Sequence, residues 1–199
     1  MADKVQKLKP QEFVNTLGKF LADDETHNVL IRGYFDMPKL KLSLRVIKNT
    51  KEMHKGVIVE GGMNKNKLES MLGRALNIPN FYLDSLEWLN IGNGTNIVST
   101  KWNQSVHFTY GDDCDFAFFF PIQEEVVEPK YTEILVEKLK NSRAKKNILL
   151  TSNDWTKNPE VLYKYMDKIV SLDLEDYSNK YKEELKNIKT NIDDKPLPY

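Results

Sequence analysis

Residues 115–122 constrain the fold more than any other stretch, because Phe116, Ala117, Phe118, Phe119 and Phe120 follow one another without a polar break. A strand with one wet face alternates apolar and polar residues, so this run predicts a strand covered on both faces, the habit of parallel sheets. Pro129 suits the first turn of a helix that carries Tyr131, Ile134, Leu135 and Leu139 on one side, and 147–151 supplies a second buried strand. Strand, helix and strand in succession imply a parallel pair with a right-handed crossover. The chain therefore reads as α/β: a central mixed sheet with a parallel strand-helix-strand unit, flanking helices and a C-terminal helical extension.

The remaining elements follow from periodicity. Phe13, Val14, Leu17, Phe20 and Leu21 recur at helical spacing, and 28–34, 41–47 and 56–60 read as strands, the second because Leu42, Leu44 and Val46 alternate with Ser43 and Arg45. Asn64 is placed to cap a helix burying Leu68, Met71, Leu72 and Ala75, which Ile78-Pro79 ends. A second, short helix is expected to turn Leu83, Leu86 and Leu89 inward, followed by a loop over 90–96 and a hairpin formed by 96–102 and 105–110. Asn158-Pro159-Glu160 reads as the start of a helix bearing Leu162, Met166, Ile169 and Val170. A last helix over 175–192 places Tyr177, Tyr181, Leu185 and Ile188 on one side, ahead of a frayed tail. Residues 1–172 are expected to form one domain and 173–199 a helix and tail.

Composition excludes several classes. The 199 residues include 40% hydrophobic and 29% charged side chains, and the longest apolar run, 116–121, is too short to span a bilayer. Cys114 is the only cysteine, so no disulfide can form within the chain and a reducing, cytoplasmic setting is expected. The 29 basic and 29 acidic residues cancel, which makes a nucleic-acid partner unlikely on overall charge. Locally they separate. Residues 38–56 hold Lys39, Lys41, Arg45, Lys48, Lys51 and Lys55 against Glu52, whereas 111–128 hold Asp112, Asp113, Asp115, Glu124, Glu125 and Glu128 with no basic residue. The two segments either neutralise one another or act as ordinary solvated faces; the sharper reading is an acidic surface that draws in a basic partner.

Two constellations carry chemistry. Asp113 or Asp115 followed by Glu128-Pro129-Lys130 fits a metal-dependent nuclease, in which carboxylates hold Mg²⁺ and a lysine orients water, provided Glu128 and Lys130 lie in a paired strand. Pro129 argues for a helix start instead. His27, His54 and His107 lack neighbours at metal-ligand spacing, and the acidic neighbours of Cys114 oppose a thiolate. No metal or cofactor is expected. Thr151 to Trp155 follow a buried strand, the end at which α/β sheets gather ligands.

The segment Leu76-Asn77-Ile78-Pro79-Asn80-Phe81-Tyr82-Leu83-Asp84-Ser85-Leu86 is similar to the Leu-x-Leu-Pro-x-Tyr-Tyr and Leu-Asp-Ala-Leu signatures of the barstar family of ribonuclease inhibitors, and the order of elements over 56–151 resembles that family's. The resemblance implies that Tyr82 and Asp84 contact a basic nuclease cleft. The family's second acidic position falls on Trp88, with Glu87 one place earlier. The leading expectation is thus a non-enzymatic protein that binds another macromolecule, such as an inhibitor of a basic nuclease or of a defence factor, through Tyr82, Asp84, Glu87 and Trp88 supported by the acidic segment. The alternative is a nuclease or hydrolase using Asp113, Asp115, Glu128 and Lys130. A third possibility is assembly through the Tyr177 and Tyr181 stripe.

Overall fold

The computed structural model describes residues 5–85, 87–102, 111–192 and 197–198. Eight strands form one sheet: β1 (Val5–Leu8), β2 (Asn28–Arg32), β3 (Lys55–Glu60), β4 (Leu89–Gly92), β5 (Thr95–Lys101), β6 (Phe116–Phe120), β7 (Lys146–Leu150) and β8 (Lys168–Leu172). Their order across the sheet is β1-β8-β2-β7-β6-β3-β5-β4, and every neighbouring pair is parallel except β4 with β5. The expected mixed α/β sheet and its parallel β6/β7 unit are what the chain forms.

The helices are α1 (Pro10–Ala22), α2 (Asp36–Asn49), α3 (Lys65–Leu76), α4 (Pro129–Asn141) and α5 (Asn179–Asn191), with 3-10 turns at Glu124–Val126 and Asn158–Tyr165. Direction of travel decides which face each covers. From β1 through β2 to β3 the chain crosses the sheet one way, and from β6 through β7 to β8 it returns, so right-handed crossovers place α1, α2 and α3 on one face and α4 with Asn158–Tyr165 on the other. Packing agrees: Phe116, Phe118 and Phe120 share a core with Phe13, Leu44, Leu68 and Leu185, while Ala117 and Phe119 pack with Leu135, Leu139 and Leu162. Alternate residues of one strand thus feed two layers, which is why that strand carries no polar residue. The C-terminal helix α5 belongs to the first layer through Leu185 and Ile188.

Four elements differ from the sequence reading. Residues 41–47 lie within α2 rather than in a strand. Its buried residues, Lys39, Leu40, Ser43, Leu44, Val46 and Ile47, keep helical spacing, but two of them are polar and hid the inward stripe. The Ser43 hydroxyl donates to the Lys39 carbonyl at 2.8 Å, and Pro38 occupies the first turn, where its missing N–H is not needed. No helix forms over the described residues of 81–89; Phe81 and Leu83 are buried from an irregular segment, and Leu86 lies outside the described residues. The expected loop at 90–96 is a hairpin, because Asn93 (φ 56°) and Gly94 (φ 78°) provide the two left-handed positions that a tight turn needs. The expected partner strand at 105–110, with His107, lies outside the described residues. Finally, 158–170 is a 3-10 helix followed by β8, in which Ile169 and Val170 pair with β2 and β1.

The helical register of α2 predicts unequal roles for two leucines that a strand would have placed on one face. Leu44→Ala should lower unfolding free energy by about 2–5 kcal/mol, as core truncations do, and Leu42→Ala, at a half-buried position, by clearly less. Equal losses in denaturant titration would return 41–47 to a strand-like register.

Candidate functional site: the carboxyl edge of the sheet

Between β2 and β7 the following segments leave toward opposite faces, which opens a crevice at the carboxyl ends of the strands, where α/β sheets place ligands. Here the crevice is filled by the chain's own charges. Arg32, the last residue of β2, donates from Nη2 and Nε to the two carboxylate oxygens of Asp154 at 2.6 and 3.0 Å, and both side chains are fully buried. Its remaining donors reach the Tyr163 hydroxyl and the Thr156 carbonyl (3.0 Å). Lys39, equally buried, donates from Nζ to the Gly33 carbonyl (2.7 Å) and to Thr151 Oγ1 (3.0 Å), and Thr151 in turn donates to Asp154 (2.9 Å).

Burial pushes the Lys39 ammonium below its ordinary pKa, opposed by Asp36 and Asp154, and pushes the Tyr163 phenol upward, opposed by Arg32. The network joins β2, the first turn of α2, and the segment after β7 by charge-assisted bonds, of which the bidentate pair is the strongest kind. Removing one partner strands the other in the interior. Asp154→Ala should therefore cost on the order of 3–5 kcal/mol of stability, measured by chemical denaturation. A loss below about 1 kcal/mol, the size of an exposed pair, would contradict the buried geometry.

In front of this plug lies an open groove of about 790 Å³. Tyr34 and Phe35 reach it from the loop after β2, Trp155 from the loop after β7, and Tyr177 and Tyr181 from the chain after β8. Phe35 and Tyr181 pack as a tilted pair at 4.8 Å between ring centres, and Tyr177 meets Tyr181 at 6.3 Å. Asn153, at the rim, has φ 44°, and its N–H donates to Asp36 at 3.0 Å. Lys41 belongs both to this groove and to a smaller cleft of about 220 Å³ between α2 and α3 that includes Arg45 and Lys48.

A second crevice lies between β3 and β6. There the buried Glu125 carries one carboxylate oxygen with no partner, and its carboxyl is pushed up to about 7 chiefly by burial, with Glu124 adding to the effect. Gly61 and Gly62 make room for this turn, since a Cβ on Gly61 would stand 1.8 Å from the Pro121 carbonyl oxygen. A folded-state pKa above the unfolded value of about 4.5 means that the native state holds the proton longer. Stability contributed here is full below pH 4.5 and lost as pH rises through about 7. Glu125→Gln should thus be near neutral at pH 4.5 and more stable than the parent at pH 8, by up to about 3 kcal/mol. Parallel unfolding curves at both pH values, with no widening gap, would show that the carboxyl is solvated.

The residues of the metal-nuclease reading do not converge. Asp113 and Asp115 precede β6, whereas Glu128 and Lys130 follow it, Glu128 immediately before α4 and Lys130 in its first turn. The five-residue strand alone separates them by roughly 16 Å. Asp115 accepts from the His54 and Lys55 amides (2.9 and 3.0 Å) and pairs with Lys145 (2.8 Å); against the opposing effect of burial, these bonds hold its pKa below the ordinary value. Asp112 pairs with Arg143 at 3.2 Å. The acidic segment is therefore split between the two edges of the sheet and does not form one surface, and its ion pairs at the amino edge are with Arg143 and Lys145 rather than with residues 38–56. Among the described residues, no group of three or more His, Cys, Asp and Glu side chains could hold a metal ion. Burial, with Asp115 next, raises the pKa of the Cys114 thiol.

Tyr82, Glu87 and Trp88 are exposed on the irregular segment leading to β4, with Tyr82 60% and Trp88 48% accessible. Asp84 is half-buried; its carboxylate accepts the Glu87 N–H (3.2 Å) and its carbonyl accepts the Ser99 N–H (2.7 Å), so it shapes the segment. Sequence reasoning named Lys39 and Glu125 within charged segments and Asp154 within the strand-end segment 151–155, but missed Arg32, its bond to Asp154 and the burial of all four. The one available signal was an arginine ending an apolar strand run, a charge that a doubly covered sheet admits only with a partner. No protein-family model and no curated protein matches the chain.

Proposed function

We propose that this chain is a macromolecule-binding protein whose contact surface is the outer edge of the sheet around Tyr82, Glu87 and Trp88, and that its partner is another protein. The observation that carries the reading is two large aromatic side chains held out to solvent within seven residues, each beneath a lysine: Lys65 lies 4.7 Å from the Tyr82 ring centre and Lys55 lies 5.7 Å from that of Trp88. Tyrosine and tryptophan dominate the energetics of protein contacts, and a ring already fixed by a neighbouring cation loses less freedom on binding. Trp88 leads directly into β4, the last strand of the sheet, whose outer edge adds backbone donors and acceptors to the same surface.

The barstar resemblance implies a basic nuclease as the partner, inhibition as the outcome and Tyr82 and Asp84 as contacts; with Asp84 half-buried and bonded to the Glu87 N–H, Glu87 is the exposed carboxylate of this surface. Burial of the sole cysteine, Cys114, fits a cytoplasmic setting. No helix among the described residues is long and apolar enough to cross a membrane. The test is affinity capture with the wild-type chain beside Tyr82→Ala/Trp88→Ala, followed by titration of the recovered protein. Each ring should contribute on the order of 2 kcal/mol, about 30-fold in Kd, while the exposed positions leave the unfolding midpoint in place. Recovery of the same proteins by both baits would overturn the edge as the contact surface.

A further inference from the structure

The aromatic groove at the carboxyl edge and the cationic cleft beside it have a chemistry of their own, independent of the edge around Tyr82. Lys41, Arg45 and Lys48 stand at i, i+4 and i+7 on one side of α2, and Arg74 of α3 joins Lys41 at the rim of the groove. Among the described residues, no carboxylate lines the cleft that contains Arg45 and Lys48. Among the described residues none of the four cations is in an ion pair. Of the two carboxylates that line the groove, Asp36 is already engaged by Lys39 and by the Asn153 N–H, and Glu184 pairs with Lys180 at 3.8 Å. The stripe thus presents positive charge over seven residues of helix, about 10 Å, more than one phosphate group occupies. At its end the groove offers Tyr34, Trp155, Tyr177 and Tyr181, with Tyr177 65% exposed. The Trp155 indole nitrogen is buried without an acceptor, an unspent donor beside the groove.

Cations that follow a backbone, leading to ring faces on which flat groups stack, are the two components of single-strand recognition. An acidic peptide would use the charges and leave the rings without flat partners; a duplex would offer no unstacked base to the rings. We infer that this composite groove binds single-stranded nucleic acid, with successive phosphates along Lys48, Arg45, Lys41 and Arg74 and an unstacked base among Tyr34, Trp155, Tyr177 and Tyr181. The balanced overall charge conceals the site, because 29 acidic residues offset 29 basic ones over the whole chain whatever their local placement.

The experiment is fluorescence anisotropy of a short labelled oligothymidylate titrated with the full chain, in about 50 and about 200 mM salt. Four phosphate contacts predict a saturable signal whose affinity falls about 50-fold between these conditions. Lys41→Glu/Arg45→Glu should abolish it, and Tyr177→Ala should weaken it roughly 5- to 150-fold. Tyr82→Ala/Trp88→Ala should leave it unchanged, so failure of the edge reading and failure of this one are separable. All the substituted side chains are exposed, and a thermal melt of each variant checks that it is folded. Absence of binding at low salt, or binding indifferent to both Lys41→Glu/Arg45→Glu and Tyr177→Ala, would overturn the proposal. Equal competition by ATP would replace the strand by a mononucleotide, and equal competition by polyglutamate would replace it by an acidic protein; either result defeats the single-strand assignment.

Discussion

The carboxyl edge of this sheet depends on one buried ion pair. Arg32 ends β2, an interior strand paired on both sides, and without Asp154 its guanidinium would be a charge in a dry interior, a state that a folded chain cannot tolerate. Because Asp154 lies four residues beyond β7, satisfying Arg32 fixes the path of the chain as it leaves that strand. The same carboxylate accepts from Thr151 and from the Gly33 N–H, and Thr151 accepts from Lys39, so the pair also fixes where α2 begins. Trp155 and Tyr34 owe their places at the groove to this connection, since each sits one residue beyond a member of the network. A fully bonded ionic core of this kind specifies one arrangement of loops more than it adds stability.

The two crevices of the sheet are closed by groups of different chemistry. Between β2 and β7 the closing groups are a guanidinium and the carboxylate that it grips through two hydrogen bonds, with Lys39 bonded beside them. Between β3 and β6 the closing group is a single carboxyl, Glu125, buried with one oxygen unpartnered and titrating at about 7. The first crevice therefore behaves as a rigid support for the loops that form the groove. The second is weaker above neutrality, where burial of an ionised carboxylate opposes folding, and Gly61 and Gly62 approach that turn too closely for a side chain.

How much of this was legible in the sequence follows from which residues bear the signal. The run from Phe116 to Phe120, the helix opened by Pro129 and the cap at Asn64 depend on local chemistry, and each formed where expected; Asn64 accepts the Asn66 N–H at 3.0 Å. In α2 Ser43 faces inward because its hydroxyl bonds the Lys39 carbonyl one turn back, and Lys39 because Gly33 and Thr151 satisfy its ammonium; no local pattern reports a partner 112 residues away, as Thr151 is from Lys39. The Asn93-Gly94 turn was a local signal misassigned to a loop, whereas β8 was obscured by a helix start at Pro159 that lasts only as a 3-10 turn. Edge strand β1, with a half-exposed pattern over four residues, gives almost nothing to read.

Charge shows the same division between what sequence order displays and what folding decides. The acidic residues 112–128 look like one surface in the sequence, yet β6 runs through the middle of them and carries Asp112 and Asp115 to the opposite edge from Glu124 and Glu128. At the amino edge the carboxylates are consumed by backbone amides, Arg143 and Lys145. The basic residues of 38–56 have the opposite fate, because a helix lines up Lys41, Arg45 and Lys48 instead of alternating them between two faces. Had this segment been the strand that its leucines suggest, Lys41 and Arg45 would share a face while Lys48 faced the other way. Correcting one element from strand to helix therefore turns a compositional bias into a continuous cationic stripe, and places its end against the aromatic groove.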